Sequence, residues 1–91
     1  MSRKKANKDQ GLIEWKAVGR RIRELRGFDM NQGEFAQRIG VSQGYVSSIE
    51  RGEKEIGIEI LLRISREYGR SLEWLLTGDE WKGSKRQSVS P

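Results

Sequence analysis

The chain contains no cysteine and no histidine. Without cysteine it has neither disulfides nor thiolate metal sites. Without histidine it lacks the commonest metal ligand and the commonest general base, so no metal, cofactor or enzyme chemistry is expected. No apolar run approaches the ~18 residues needed to cross a bilayer. The opening residues Met1-Ser2-Arg3-Lys4-Lys5 are basic, but no apolar stretch follows them as a secretory signal requires. A soluble, cytoplasmic protein with no membrane partner is expected. Strand-period segments and internal repeats are also missing, which makes the expected fold class all-α.

What is present is charge, and it is unevenly placed. The 91 residues carry a formal net charge of +5, with a sequence pI of about 9.9. A basic domain of this kind carries one electrostatic signature of a nucleic-acid partner. Residues 1–26 hold nine Lys/Arg against three Asp/Glu, whereas residues 27–78 hold six against eight. The positive excess therefore sits in the N-terminal arm and the first helical segment.

Residues 1–10 are polar, charged and aperiodic, and read as a basic flexible arm. From Leu12 onward, Ile13, Trp15, Val18, Ile22 and Leu25 form an apolar stripe that predicts a first helix over 11–26, with Arg20, Arg21, Arg23 and Glu24 on its wet side. Asn31 followed by Glu34 predicts a capping box for a second helix over 32–39 that buries Phe35, Ala36 and Ile39. Gly40 stops that helix, and Ser42 caps a third over 43–51 that buries Val46 and Ile49. A fourth helix is expected over 57–68, with Ile58, Leu61, Leu62 and Ile64 inward. Ser71 caps a fifth over 72–77, where Leu72, Leu75 and Leu76 close the core. The ordered domain thus spans 11–78, and 79–91 reads as a polar C-terminal tail.

Two short helices joined by Ile39-Gly40-Val41-Ser42 carry the functional argument. A short glycine-containing turn sets successive helices steeply to one another, so that the second projects. A projecting helix fits the major groove of double-stranded DNA. The outward face of this one offers Gln43, Gly44, Ser47 and Ser48, and none of them is a carboxylate. No pairing of a nucleophile with a base, phosphate-binding loop or metal cage occurs. The cluster Glu50, Glu53, Glu55 and Glu59 reads as charges at a helix end and in a loop.

The stretch from Asn31 to Gly52, continued by Ile60-Leu-Leu-Arg-Ile-Ser65 and Ser71-Leu-Glu-Trp-Leu-Leu-Thr-Gly78, resembles the lambda-repressor-like family of Xre and Cro/cI transcriptional regulators. The resemblance covers about residues 18–78. It implies a compact five-helix DNA-binding domain with the helix-turn-helix at helices 2 and 3. It further implies a transcriptional regulator, of repressor type, that binds an inverted-repeat operator as a homodimer. Carried over by position, Gln32 matches the family residue that touches the DNA backbone. Gln43, Gly44, Ser47 and Ser48 match the base-reading face, and Ser42, Tyr45 and Arg51 match phosphate contacts. Arg26 and Glu50 match a structural ion pair tying the recognition helix to helix 1.

The sequence departs from the family pattern in three places. The turn Gly27-Phe28-Asp29-Met30 is about one residue short. Ile56-Gly57 stands where proline and a cap residue are common, and the basic arm is longer than the fold needs. The arm is either an electrostatic flank of the groove or a solvated tail. Arg20, Arg21 and Arg38 are further candidates for phosphate neutralisation, and Trp74, Leu75 and Trp81 are candidates for a C-terminal dimer patch. With no effector-binding or self-cleaving domain in the sequence, no small-molecule ligand is expected. An antitoxin or protein-interaction module built on the same helices is the alternative reading.

Overall fold

The computed structural model describes residues 13–79. They form five helices, α1 (Trp15–Arg26), α2 (Gln32–Ile39), α3 (Gln43–Glu50), α4 (Ile58–Tyr68) and α5 (Leu72–Thr77), and there is no strand among the described residues. The expected arm over 1–10 and Trp81 of the tail lie outside the described residues.

Local chemistry explains most helix boundaries. The Asn31 side chain accepts the Glu34 N–H at 2.8 Å, while the Glu34 carboxylate accepts the Asn31 N–H at 3.0 Å. This reciprocal box satisfies two backbone donors that a helix start otherwise leaves orphaned. Ser42 caps α3 by accepting the Tyr45 N–H at 3.1 Å, and Ser71 caps α5 by accepting the Trp74 N–H at 3.0 Å. Between α2 and α3, Gly40 takes the left-handed conformation at φ 78°, which glycine adopts at least cost, and Val41 N–H closes onto the Ala36 carbonyl at 2.9 Å.

Three boundaries differ from the sequence expectation. α1 begins at Trp15, because Glu14 is extended and offers no side-chain cap. Ile13 nevertheless packs against the core from this non-helical segment, so its apolar character never required a helix. α3 ends at Glu50, leaving Arg51 as its cap, and α4 begins at Ile58 after Gly57.

A single core draws on every helix. Val18 and Ile22 of α1, Phe35 and Ile39 of α2, Val46 and Ile49 of α3, Ile64 of α4 and Leu75 of α5 are all fully buried. Each such side chain contributes about 1.5–3 kcal/mol relative to exposure. Ile58, expected inward, is instead 65% exposed, while Ile56 in the preceding loop is only 5% exposed. The loop residue fills the place beneath the start of α4, and the first helical position is turned outward. Leu75, expected both to close the core and to extend a dimer patch, is a core residue with no exposed surface, so it cannot belong to the patch. Arg21, expected on the wet side of α1, is half-buried and donates to the Leu75 carbonyl at 2.9 Å, joining α1 to α5.

The backbones of α1 and the end of α3 approach closely at Gly19. A Cβ on Gly19 would fall against the carbonyl oxygens of Ile49 and Glu50, 2.7 Å from the latter. Only a residue without a side chain lets the two helices lie this close.

Candidate nucleic-acid interface

α3 is held so that one face is sunk and the other is presented. Val46 and Ile49 are buried, Gln43 and Gly44 are exposed, and Tyr45, Ser47 and Ser48 are half-buried. The presented face offers amide and hydroxyl groups, with no ionic side chain before Glu50. The helix start points the same chemistry outward, since backbone N–H groups and the positive end of the helix dipole attract anions. Ser42 is exposed at this end, its hydroxyl already accepting the Tyr45 N–H.

The start of α2 shares this edge. The side-chain oxygen Oε1 of Gln43 lies 3.9 Å from where a Cβ on Gly33 would stand, so the Gln43 side chain reaches the start of α2. Gln32, the first residue of α2, donates its side-chain N–H to Glu50 Oε1 at 3.0 Å. An amide nitrogen carries two hydrogens, so one N–H of Gln32 remains for an outside acceptor.

Glu50 is the hub of the arrangement. Arg26 donates to it through Nε at 2.7 Å and Nη2 at 2.9 Å, and sends Nη1 to the Met30 carbonyl at 2.9 Å. The two side chains are only 14% and 5% exposed. Burial alone would push the Glu50 carboxyl up. Hydrogen bonds from Arg26 and Gln32, with the positive charges of Arg26 and Arg23, outweigh it and hold the carboxyl below its usual range. The same bond from Glu50 raises Arg26 against its own desolvation. One carboxylate therefore locks the end of α3 to α1 and to the start of α2, while Arg26 ties the pair to the α1–α2 turn.

Arg51, expected as a phosphate contact, has partners within the protein. Its guanidinium bonds Ser47 Oγ and pairs with Glu53 at 2.8 and 3.0 Å. The Lys54 ammonium sits 5.1 Å over the Tyr45 ring. Arg38, a further candidate cation, lies 3.5 Å from Glu67. Arg20 and Arg23 line an open groove on α1 with Arg26 and the fully exposed Phe28.

Sequence reasoning placed the α2–turn–α3 residues but assigned no role to Gly19, Lys54 or Ile56, and it read Glu53 only as a loop charge. Gly19 carried a usable signal, because a glycine inside a helical pattern costs about 1 kcal/mol against alanine and implies a packing reason. Glu53 carried none, since its partner is fixed by a side-chain rotamer.

The sequence profile of the helix-turn-helix family matches residues 20–75, more than half of the chain. No curated protein matches. Among solved structures, the chain is similar to the P22 c2 repressor, crystallised with a synthetic operator. That match has 36% identity and a TM-score of 0.63, covering 68% of this chain and 96% of that one. It is also similar to the restriction-modification controller protein C.AhdI from Aeromonas hydrophila, with 25% identity, a TM-score of 0.60 and coverage of 68% and 91%. The clp gene regulator ClgR from Corynebacterium glutamicum matches at 33% identity and a TM-score of 0.58, covering 66% of this chain and 65% of that one. Five helices, a capped α2–turn–α3 unit and a profile match across both make this chain a member of the Cro/cI-type helix-turn-helix family of DNA-binding transcriptional regulators.

Proposed function

We propose that the protein is a sequence-specific repressor that inserts α3 into the major groove of an inverted-repeat operator and binds there as a homodimer. The observation that carries this reading is the uncharged face of α3. Gln43 and Gly44 are exposed on it, beside Ser47 and Ser48, and it is fixed to the scaffold through Glu50, Arg26 and Gln32. A rigid face of short polar groups suits base edges, where hydrogen bonds specify sequence, while Gln32 and Ser42 flank it as backbone contacts. The similarity to the P22 c2 repressor, which was crystallised on operator DNA, supports the same partner here. No helix among the described residues is long and apolar enough to cross a membrane.

One short helix reads only a few base pairs, and a second copy related by a two-fold axis doubles the specific contacts. The half-sites of the operator are then about one helical turn, roughly 34 Å, apart. Selection from random duplex DNA, followed by footprinting and sedimentation, tests the whole reading. Enrichment of an inverted repeat protected by two protomers is expected. A single half-site footprint with one protomer bound removes the dimer and leaves the helix-turn-helix. An interaction module is the second reading, favoured by Phe28, which stands fully exposed in the α1–α2 turn. Selection that enriches no sequence would decide for it.

A further inference from the structure

Arg51 bridges two side chains, Ser47 and Glu53, at the C-terminal end of α3. Arg51 caps the helix, and its guanidinium turns back along the outer face, where Nη1 donates to Ser47 Oγ. Its other edge is taken by Glu53, with Nε and Nη2 donating to the two carboxylate oxygens at 2.8 and 3.0 Å. This parallel two-bond pairing is the geometry a guanidinium offers to phosphate. Glu53 therefore occupies an edge of Arg51 suited in geometry to phosphate oxygens, and Ser47, on the presented face, is bonded within the protein.

The surrounding charges sharpen the point. Residues 51–55, Arg-Gly-Glu-Lys-Glu, sum to zero net charge, so the segment trailing the recognition helix has no excess positive charge for phosphate. The chain's positive excess lies in residues 1–26. Arg51 and Glu53 are about half exposed, at 56% and 53%, so their pair is screened by solvent and exchanges readily. If phosphate displaced Glu53, a bare carboxylate would be left among DNA phosphates, and the gain from Arg51 would be offset.

We propose that Glu53 withholds Arg51 from the DNA backbone, setting the affinity of the reading head below what its arginine allows and keeping Ser47 bonded internally until the clamp opens. The inference rests on α3 being the DNA-reading helix. It makes Glu53 an affinity-determining residue that touches no DNA itself.

Glu53→Gln, Arg51→Gln and the double variant, titrated onto the selected duplex by fluorescence anisotropy across a salt series, test it. Glu53→Gln is expected to bind more tightly than the unsubstituted protein. Its plot of log affinity against log salt should steepen by about 0.9 per bound protomer, the value of one added phosphate contact in each half-site. That corresponds to roughly a threefold greater loss of affinity per protomer between 50 and 200 mM salt. Adding Arg51→Gln should return the slope to that of the unsubstituted protein, and Arg51→Gln alone should leave the slope unchanged. Equal or weaker binding by Glu53→Gln overturns the proposal, because Glu53 would then be idle or a support for Arg51. Tighter binding that persists in the double variant overturns it too, by showing a general charge effect that bypasses Arg51. Should the unsubstituted protein select no duplex sequence, the DNA reading of α3 fails and the clamp falls with it; normal selection with an unresponsive Glu53 sinks the clamp alone.

Discussion

Glu50, the last residue of α3, accepts both arms of the Arg26 fork at 2.7 and 2.9 Å across 24 positions of sequence. A nearly buried pair of this kind is costly to break singly, because the survivor keeps its charge without a partner. Arg26→Ala or Glu50→Ala should each destabilise the fold by about 3 kcal/mol. The double variant should lose less than the sum of the two. Urea unfolding of all four proteins measures the coupling, and strict additivity would mean that the pair contributes nothing jointly.

The same carboxylate makes stability depend on acid. Glu50 titrates below its usual value in the folded protein, so its contribution is complete above the unfolded value of about 4.3. It is lost as pH falls through the lower folded value, since the unfolded chain then binds the proton more readily. Arg26 is raised, so its own contribution would fade only in strong alkali. Between pH 7 and 3, the unsubstituted protein should therefore lose more stability than Glu50→Gln does. Parallel curves for the two would remove Glu50 from the acid response.

Gly19 sets two effects against each other. Alanine in mid-helix is favoured over glycine by about 1 kcal/mol. A Cβ at this position, however, meets the Glu50 carbonyl oxygen at 2.7 Å and the Ile49 carbonyl beside it. Backbone atoms yield little, and overpacking of this sort costs about 1–3 kcal/mol. Gly19→Ala should thus be net destabilising, with a lowered urea midpoint, and should loosen the seat of α3. A raised midpoint would show that propensity wins and that the α1–α3 approach has slack.

What could be read from the sequence follows the range of the physics involved. α2 and α5 occupy the spans the sequence predicts, because Asn31 and Ser71 announce their caps within four residues. The α2–turn–α3 unit followed from Gly40 and the apolar spacing. Ile58 and Ile56 exchanged roles because periodicity cannot say which residue the fold covers at a helix start. Helical spacing turns Leu72, Leu75 and Leu76 alike toward the core and also offers Leu75 to a dimer patch; only the packing of α5 against α1 and α4 shows that Leu75 has no surface left to give. The Arg51 clamp depends on how one long side chain turns, which no local pattern encodes.

Gln43 and Gln32 should separate base reading from backbone holding. Gln43 stands exposed at the start of α3, where an amide can pair with both adenine groups in the major groove. Gln43→Ala should cost about 1–3 kcal/mol on the preferred site and relax choice at one position per half-site. Gln32→Ala should weaken all sequences evenly, because its remaining N–H suits a phosphate oxygen. Competition against duplexes mutated one base pair at a time distinguishes the two. An even loss for Gln43→Ala would reassign that residue to the backbone.

Assembly is best tested where the fold itself is spared. Leu75 is fully buried, so Leu75→Ala should cost about 2–5 kcal/mol by opening the core and says nothing specific about a dimer. Trp74 is different: it is half-buried, with the Arg70 guanidinium stacked 3.7 Å over its ring. Aromatic and arginine side chains of this kind dominate the energetics of protein interfaces. If two copies meet through the α5 end, Trp74→Ala should lower the thermal stability of the dilute protein less than Leu75→Ala does, because its ring is only partly packed against the core. It should nonetheless shift sedimentation toward the monomer and lower affinity for a full operator far more than for an isolated half-site. If full-site and half-site affinities fall together, the dimer surface lies elsewhere, and the exposed Ile58 at the start of α4 becomes the next position to substitute.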